Sequence, residues 1–383
     1  MRITEPEFTN KQIIEYMETG RMNSLIRTGI AAPFKGYVFE EKELLKCAAQ
    51  LKKDFEEEGM DFTEDESVIA MMVIDLLMDT LEIEDDQIPV PDKIMEEVIR
   101  EGRVFHEGAF EDNPYYTNIH FDDQRKGMFR LTKGSFEKYE TIHYDTPAKM
   151  ADGILIPRVG TFDHNFEFPC IMEGGTIWMS VTPNEICTME SHILRAHGDV
   201  LTLGCGMGYY AYMASLKDDV KTVTIVEREQ NVIELFEEYI LPQFEHKEKI
   251  RLVKADAIEY MEKLEDGQFD VCFADIWKGN NDLTAYLTLK RICARFKNTK
   301  ITYWIEDTLL STISSYVYML IVEALCAAQM IEPPVLPKND YALDYIRRIL
   351  KDAVIETPED VDKYMKPENI LSLLENLPEN SLE

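Results

Sequence analysis

The stretch Val200-Leu-Thr-Leu-Gly-Cys-Gly-Met-Gly208 decides the fold of this 383-residue chain. Four residues of strand character come first, three alternating glycines follow, and a helical run begins at Tyr209. Glycines at a strand-to-helix junction let the backbone turn sharply and approach a ligand, because no Cβ is in the way. The stretch therefore predicts a strand, a ligand-binding loop and a helix in direct succession.

Apolar runs and helical patterns alternate on the C-terminal side of this loop. Predicted strands cover 200–203, 222–226, 250–253, 269–274 and 301–305, and predicted helices cover 209–216, 230–240, 257–264, 283–296 and 309–326. Strands and helices that alternate on so short a repeat imply a mostly parallel sheet with helices on both faces. The predicted fold class is α/β and Rossmann-like, preceded by a helical region and a small β-rich region.

The composition and periodicity of the sequence divide the chain into four predicted regions. Apolar residues recur at three- and four-residue spacing in 39–58 and 64–81, which indicates helices. Aromatic residues, glycines and short alternating runs then indicate strands and turns. The predicted regions are a helical N-terminal region (1–103), a β-rich region (104–179), a Rossmann-like ligand-binding domain (180–330) and a helical acidic tail (331–383).

The charge balance is strongly acidic, with 72 Asp and Glu against 40 Lys and Arg and a formal net charge of −32. Nucleic-acid affinity depends on clustered Lys and Arg, and the sequence has no basic run, so a nucleic-acid partner is disfavoured. The acidity serves mainly solubility, and it modestly favours a small neutral or cationic ligand.

The cysteines and the hydropathy of the sequence indicate the cellular compartment of the protein. The seven cysteines are scattered, odd in number and never spaced as CxxC, which is typical of small buried residues in a reducing cytosol. The histidines lack metal-ligand spacing, no apolar run approaches the length of a membrane span, and the N-terminus lacks a signal pattern. We expect a cytoplasmic chain without a metal site or a membrane partner, and the sequence makes no prediction of its oligomeric state.

Acidic residues stand at the ends of the strands that follow the glycine loop. Glu227 ends the second strand, about 20 residues after the loop, where a carboxylate can accept both hydroxyls of an adenosine ribose. Asp256 follows the third strand, where a side chain can meet the adenine amino group. Asp275 ends the fourth strand, facing the place of a reacting group, with Trp277 nearby as a surface on which a substrate could stack. Glu306 ends the fifth predicted strand and could face a cationic substrate.

Four stretches carry a resemblance to a known family. They are Val200-Leu-Thr-Leu-Gly-Cys-Gly-Met-Gly208, Val223-Thr-Ile-Val-Glu227, Val253-Lys-Ala-Asp256 and Phe269-Asp-Val-Cys-Phe-Ala-Asp275. In order and spacing they resemble the class I S-adenosylmethionine-dependent methyltransferases over roughly 200–307. The resemblance implies S-adenosylmethionine as the cofactor. The residues that it assigns to the cofactor are Gly204, Cys205, Gly206, Met207, Gly208, Glu227, Asp256, Ala257 and Asp275.

One position departs from the family pattern. The family usually has an acid two residues before the first glycine, where it orders the loop and faces the methionine end of the cofactor, and here that residue is Thr202. The preceding stretch could compensate by placing Ser180, Thr182, Asn184 or Glu185 over the loop. Alternatively, Thr182 and Glu185 form a capping box for the helix that begins near Pro183, and the two roles are compatible.

Each candidate residue also has a purely structural interpretation. The three glycines could be turn residues of a Rossmann domain that binds no cofactor. Asp256 and Asp275 could be helix N-caps, because Asp before a helix is common there. Trp277 could cover the hydrophobic core, and the acids after the fifth strand could cap the next helix.

Four functions are compatible with the sequence. The first is methyl transfer from S-adenosylmethionine to a small-molecule or protein acceptor, with Asp275 as the base if the acceptor must lose a proton. The second is aminopropyl transfer of the polyamine-synthase type, which would suit the acids Asp275 and Glu306. The third is dinucleotide binding through Gly206-x-Gly208-x-x-Ala211. The fourth is a sensor or scaffold that binds a nucleoside without catalysis.

Overall fold

The computed structural model describes residues 2–3, 35–59, 65–80, 92–149, 155–277, 282–328, 340–365, 369 and 371–372. The strands of these ranges are β1 (Arg2–Ile3), β2 (Arg103–Phe105), β3 (Gln124–Lys126), β4 (Phe129–Phe136), β5 (Thr141–His143), β6 (Ala148–Lys149), β7 (Leu155–Ile156), β8 (Val159–Phe162), β9 (Phe166–Glu173), β10 (Thr176–Ser180), β11 (Gly198–Leu203), β12 (Val220–Glu227), β13 (Ile250–Lys254), β14 (Val271–Ala274), β15 (Lys300–Tyr303) and β16 (Val354–Ile355). The α-helices are α1 (Glu41–Glu57), α2 (Asp65–Thr80), α3 (Asp92–Glu101), α4 (Pro114–Asn118), α5 (Pro183–Arg195), α6 (Tyr209–Ser215), α7 (Gln230–Leu235), α8 (Ala257–Lys263), α9 (Leu283–Cys293), α10 (Glu306–Ala328), α11 (Tyr341–Ile349) and α12 (Pro358–Met365).

The central sheet contains five strands in the order β13-β12-β11-β14-β15, and every neighbouring pair is parallel. Each step from one strand to the next passes through a helix, since α6, α7, α8 and α9 follow β11, β12, β13 and β14 in turn. The strand order reverses beside β11, which is the place where such sheets bind ligands. The prediction of a Rossmann-like parallel sheet is confirmed.

The central strands are buried on both faces, as expected when helices cover both sides of a parallel sheet. Successive residues of a strand point to opposite faces. Leu201 and Leu203 accordingly pack with α9, α10 and α11 on one face, in a core that also contains Cys272. Val200 and Phe273 pack on the other face with α5 and α6. This double burial explains why β11 and β14 read as short apolar runs in the sequence.

The fifth strand is shorter than predicted. β15 ends at Tyr303, and Ile305 has a φ of 47°, in the left-handed region, so the backbone turns before α10 begins at Glu306. The prediction that the strand continues to residue 305 and that Glu306 ends it is therefore wrong, because Glu306 is the first residue of α10. The second predicted helix is also interrupted: α7 ends at Leu235 and a π-helical turn, Phe236–Ile240, continues it.

The region before the central sheet contains helices and antiparallel strands. Helices α1, α2 and α3 contribute to one apolar cluster, which also includes Val159 of β8. Four strands form a sheet in the order β10-β9-β4-β3, and three more form a sheet in the order β2-β8-β5. The boundaries at residues 103, 179 and 330 stay predictions. The antiparallel sheet matters for the site because its strand β10 leads directly into α5.

Helix α10 corrects one expectation from hydropathy. Its segment Glu306–Ala327 is long and apolar enough to cross a membrane by length and composition alone, although no such run was expected. Within the protein 65% of its most apolar window is buried. Leu309, Ile313 and Val317 pack into the core beneath the central sheet, as in the core helix of a soluble domain. The seven cysteines are all free thiols.

Candidate functional site

The glycine loop lies between the end of β11 and the start of α6. Gly204, Gly206 and Gly208 have φ values of 95°, 49° and 73°, which non-glycine residues rarely adopt. A Cβ on Gly204 would lie 2.2 Å from the backbone oxygen of Asp275, and one on Gly208 would lie 2.4 Å from the ring of Phe236. The backbone and its packing therefore already require these two glycines, whatever the loop binds.

Gly206 differs from its two neighbours. A Cβ there would meet only the terminal methyl of Met179, at 2.8 Å, which is the far end of a flexible side chain. Gly206 is thus the glycine of the loop that faces free space rather than another backbone or ring. That space is a small, partly open cavity.

The cavity lies at the carboxyl ends of β11 and β14 and has a volume of about 30 Å³. It is lined by the loop 204–207, by residues 179–181 at the end of β10, and by side chains of α5 and α6, together with Asp275. A volume of this size holds about two water molecules. A nucleoside therefore requires Met179 and its neighbours to move away from the loop.

Glu227 supports the glycine loop from the end of β12. Its Oε2 accepts a hydrogen bond from the backbone N–H of Cys205 at 3.0 Å, and its Oε1 accepts from the N–H groups of Arg228 and Glu229, each at 2.8 Å. The side chain is buried but does not line the cavity. A carboxylate offers about four acceptor positions, so three are occupied and about one remains for a ribose hydroxyl.

Glu185 combines the two roles that the sequence leaves open for it. Its carboxylate accepts hydrogen bonds from the Ser180 hydroxyl at 2.9 Å and from the backbone N–H of Thr182 at 2.8 Å, and also from the Thr182 hydroxyl. The bond to the Thr182 N–H is one half of a capping box at the start of α5. The same side chain lines the cavity, and burial raises the pKa of Glu185.

The position where the family usually has an acid is buried and lines the same cavity as Glu185. Thr202 lines the cavity, and its hydroxyl donates to the backbone oxygen of Gly204 at 3.4 Å. Ser180 also lines the cavity, whereas Thr182 and Asn184 do not. The acid absent from β11 is thus replaced in the same cavity by one on α5, Glu185.

Asp275 reaches the cavity from the end of β14. Burial raises its pKa to about 8, and the nearby charges of Glu185 and Glu227 contribute to the increase. Its backbone N–H donates to Leu203 at 2.9 Å, which holds β14 beside the loop. The Asp275 carboxylate accepts no hydrogen bond from the part of the chain that the structure describes. At neutral pH it is mainly protonated in the absence of a ligand.

Tyr210 is a site residue that the sequence analysis does not find. Its side chain is 4% exposed and lines the cavity, and within the described ranges its hydroxyl has no hydrogen-bond partner. Its ring stacks on Phe273, with 4.1 Å between the ring centroids. In the sequence Tyr210 is one aromatic residue in the apolar pattern of α6, and nothing marks its hydroxyl as unpaired.

Two of the predicted cofactor residues, Asp256 and Ala257, do not line the cavity. Asp256 is the N-cap of α8, where its Oδ1 accepts from the backbone N–H of Ile258 at 2.9 Å and of Glu259 at 3.3 Å. Its Oδ2 lies 3.6 Å from the Arg228 guanidinium. Ala257 is the buried first residue of α8. The cofactor roles of Asp256 and Ala257 stay predictions.

The predicted substrate residues Trp277 and Glu306 also lie outside the cavity lining. Trp277 is buried in the core, with its ring 5.7 Å from that of Tyr286. Glu306 accepts from the Tyr286 hydroxyl at 2.8 Å and pairs with Lys290 at 2.5 Å. These contacts give both residues a structural role, and their substrate roles stay predictions. The structure therefore brings together the glycine loop, Asp275 and Glu185 rather than the whole predicted set.

Comparison with solved structures finds Rossmann-like transferase folds at low similarity. The spermidine synthase from Thermotoga maritima is 15% identical over 41% of this chain and 60% of its own, with a TM-score of 0.28. A probable spermidine synthase from Corynebacterium glutamicum is 13% identical over 52% of this chain and 70% of its own, with a TM-score of 0.30. The Trypanosoma brucei PRMT1 enzyme-prozyme complex with AdoHcy is 22% identical over 30% of this chain and 36% of its own, with a TM-score of 0.23.

The match to the Thermotoga maritima enzyme thus spans about 60% of the length of that protein. No protein-family model matches the sequence, and no curated protein matches it. The strand order and the glycine loop of this chain are those of a Rossmann-like fold, as the sequence predicts.

Proposed function

We propose that the chain is an S-adenosylmethionine-dependent methyltransferase that acts on a small-molecule or protein acceptor. One observation supports the proposal: at the switch point of the parallel sheet the glycine loop and Asp275 line one cavity, and Glu227 accepts a hydrogen bond from the backbone of that loop. Ligands of open α/β sheets bind at this edge. We further propose a cytoplasmic protein that acts without nucleic acid, a membrane or a metal.

Glu227 and the glycine loop have a defined task in this proposal. The bond from Cys205 to Glu227 fixes the loop so that the small face of Gly206 is presented to the ligand. The remaining acceptor position on Glu227 would take one ribose hydroxyl, and a second hydroxyl would have to displace a backbone N–H. Met179 would move from its place near Gly206 when the nucleoside enters.

When bound, the cofactor would supply a methyl group activated by a sulfonium: a lone pair of the acceptor would bond to the methyl carbon while the carbon–sulfur bond breaks in line, and S-adenosylhomocysteine would leave as a neutral thioether that keeps the bonding electron pair. The protein mainly holds the two partners in alignment. Asp275 would act as a base only for an acceptor that must lose a proton, and only when it is ionised. Its raised pKa of about 8 favours such a role above neutral pH or after a cation has bound nearby.

Aminopropyl transfer is a second candidate, and a specific feature favours it. Two acids, Glu185 and Asp275, line the cavity, and no Lys, Arg or His lines it among the residues that the structure describes. Such a cavity suits a ligand that carries positive charge and lacks a carboxylate, as decarboxylated S-adenosylmethionine does. Nucleoside binding without catalysis is a third outcome of the same experiment.

Calorimetric titration with S-adenosylmethionine, decarboxylated S-adenosylmethionine and NAD tests these alternatives. We expect S-adenosylmethionine to bind most tightly and Glu227→Ala to abolish its binding, whereas the exposed Glu259→Gln should bind like the wild type. Preference for the decarboxylated form would move the assignment to aminopropyl transfer. Binding of NAD alone, or wild-type affinity in Glu227→Ala, would overturn the proposal.

A further inference from the structure

The cavity beside the glycine loop is smaller than a nucleoside. Its volume of about 30 Å³ holds about two water molecules. One of its walls is the glycine loop, and another is formed by residues 179–181 at the end of β10. A nucleoside can enter only if one of these two walls moves.

The glycine loop is held to the central sheet. The backbone N–H of Cys205 donates to Glu227 at 3.0 Å, and the N–H of Gly204 donates to the backbone oxygen of Val226 at 2.9 Å. Both acceptors belong to β12, whose apolar side chains are buried in the core. Movement of the loop would therefore break its bonds to a central strand.

The wall 179–181 is held more weakly. Strand β10 is the edge strand of its sheet and pairs with β9 alone among the described strands. The register of this pair is irregular between Ile177 and Met179, and beyond it the N–H of Val181 donates to Pro169 at 2.9 Å. The end of β10 can thus separate from a single neighbouring strand, so it is the wall that we expect to move.

The short helix α4 contacts both walls from outside the cavity. The hydroxyl of Tyr115 donates to the backbone oxygen of Met207 at 2.6 Å, and the hydroxyl of Tyr116 donates to the backbone oxygen of Val181. Neither tyrosine lines the cavity, whereas Met207 and Val181 both do. Two adjacent residues therefore connect the glycine loop and the opposite wall.

Helix α4 is fixed to α6, the helix that begins directly after the glycine loop. The side chain of Asn113 donates to the Tyr209 hydroxyl at 3.1 Å, and that of Asn118 donates to the Tyr212 hydroxyl at 2.8 Å. Both ends of α4 are thus bonded to α6. The Tyr116 hydroxyl then joins this fixed helix to the wall that can move.

We propose that residues 179–181 form a gate to the cavity and that the Tyr116 hydroxyl holds this gate closed. The Tyr115 hydroxyl keeps the glycine loop in its binding conformation when the gate opens. Both are positioning residues, because each acts through a backbone carbonyl and not on the ligand. The inference deepens the proposed function and rests on it for the ligand, S-adenosylmethionine.

The two neighbouring tyrosines should have opposite effects on binding. Tyr116→Phe removes a hydrogen bond that exists only in the closed state, so the open fraction rises. A ligand that binds only the open state should then associate faster and bind more tightly, both by about fivefold for one hydrogen bond. Tyr115→Phe leaves the Met207 carbonyl without its donor, so the affinity should fall about fivefold through faster dissociation. A tyrosine with a purely structural role would not raise the affinity when its hydroxyl is removed.

The experiment is stopped-flow fluorescence with S-adenosylmethionine, because Trp178 stands next to Met179 and reports movement of the gate. The matched control is Tyr144→Phe, which removes a hydroxyl that donates to the backbone oxygen of Glu101 at 2.9 Å, outside the cavity lining. We expect wild-type rate constants in this control. Slower association or weaker binding in Tyr116→Phe than in the wild type would overturn the gate.

Hydrogen exchange tests the gate without any ligand. The N–H of Val181 should exchange faster in Tyr116→Phe than in the wild type, while the N–H of Cys205 should not change. Tyr115→Phe should show the reverse pattern. Equal exchange of Val181 in Tyr116→Phe and the wild type would overturn the gate. Circular dichroism melting confirms that each variant folds, and Tyr116→Phe keeps the test decisive if Tyr115→Phe does not fold.

The failures of the two proposals can be distinguished. If S-adenosylmethionine binds neither the wild type nor the variants, the transferase proposal falls, and the exchange of Val181 decides the gate. If S-adenosylmethionine binds the wild type and Tyr116→Phe with equal rate constants, and the exchange of Val181 is also equal, the gate is overturned and cofactor binding stands.

Discussion

The backbone N–H of Cys205 donates a hydrogen bond to the carboxylate of Glu227 at 3.0 Å, which joins the end of β12 to the glycine loop after β11. The same carboxylate accepts from the N–H groups of Arg228 and Glu229. It therefore fixes two successive strand-to-helix connections at the edge of the sheet where the cavity lies. A residue predicted to hold a ligand is also a structural part of the loop that would bind it.

Replacement of Glu227 should cost stability as well as ligand binding. In Glu227→Ala three backbone N–H groups lose their acceptor, and only the more exposed ones can turn to water. An unsatisfied buried donor costs about 1–3 kcal/mol, so we expect the free energy of unfolding to fall by roughly 2 kcal/mol or more. Urea denaturation measures it, with Glu259→Ala on exposed α8 surface as the control. An unchanged midpoint for Glu227→Ala would contradict this role.

Gly204 is constrained by its neighbour across the sheet. Gly204→Ala combines a left-handed backbone with a Cβ placed 2.2 Å from the backbone oxygen of Asp275, so β14 or the loop must shift. Gly174→Ala, at a φ of 58° and with nothing within 4 Å of the new Cβ, carries the backbone strain alone. The strain alone costs about 1–2 kcal/mol. We expect Gly204→Ala to lose clearly more than Gly174→Ala in thermal and urea unfolding, and equal losses would show that the close approach relaxes freely.

The sequence predicts the central sheet well because its signals are local. Buried parallel strands read as apolar runs, and the glycines after β11 satisfy constraints of backbone and packing at a single junction. The sequence predicts the end of the fifth strand poorly, because the left-handed turn at Ile305 occurs at a β-branched residue, where no local pattern indicates it.

The candidate site is less predictable because its chemistry depends on contacts distant in sequence. Glu185 lines the cavity because helix α5 and the glycine loop meet there, and the Tyr210 hydroxyl has no hydrogen-bond partner among the described residues. Asp275 follows a strand end and lines the cavity, whereas Trp277, two residues later, is buried in the core, and the functional roles of both stay predictions. Strand ends identify the edge of the sheet, whereas the helices that cover it decide which side chains face a ligand.

A chain of histidines and acids should make stability depend on pH. His106 pairs with Glu66 at 2.7 Å and with Asp163 at 2.6 Å, and His164 pairs with Asp163 at 2.9 Å and with Glu111 at 2.6 Å. The hydrogen bond to Asp163 is the main cause that raises the pKa of His106, and the bonds to Asp163 and Glu111 outweigh burial in raising that of His164. Protonated histidines thus stabilise the link between α2 and the β-rich region.

The direction of the pH dependence of stability follows from these raised pKa values. Because both folded pKa values lie above the usual 6.5, this stabilisation is fully present below pH 6.5 and is lost as the pH rises through the folded values. We expect Asp163→Asn to lose more stability relative to the wild type at pH 5.5 than at pH 8.5, measured by urea unfolding. Lys133→Gln, which removes an exposed ion pair on β4, should give the same difference at both pH values. A larger effect of Asp163→Asn at pH 8.5 would contradict the arrangement.

Replacement of Asp275 should have the opposite effect on stability. We expect Asp275→Asn to be more stable than the wild type, although the site loses its carboxylate. Its folded pKa of about 8 lies far above the value of 3.8 for an unperturbed aspartate, so the folded chain holds a proton that the unfolded chain releases. The wild type therefore loses stability as the pH rises from about 4 to about 8, while Asp275→Asn does not titrate there. The stability of Asp275→Asn relative to the wild type should grow across this range by an amount on the order of 3 kcal/mol.

Urea unfolding at pH 4.5, 6 and 8 measures this difference. Asp266→Asn is the matched control at an exposed carboxyl, whose pKa is lowered by backbone N–H groups. A constant difference between Asp275→Asn and the wild type would contradict the raised pKa, because it would mean that the Asp275 carboxylate is ionised in the folded protein across this range.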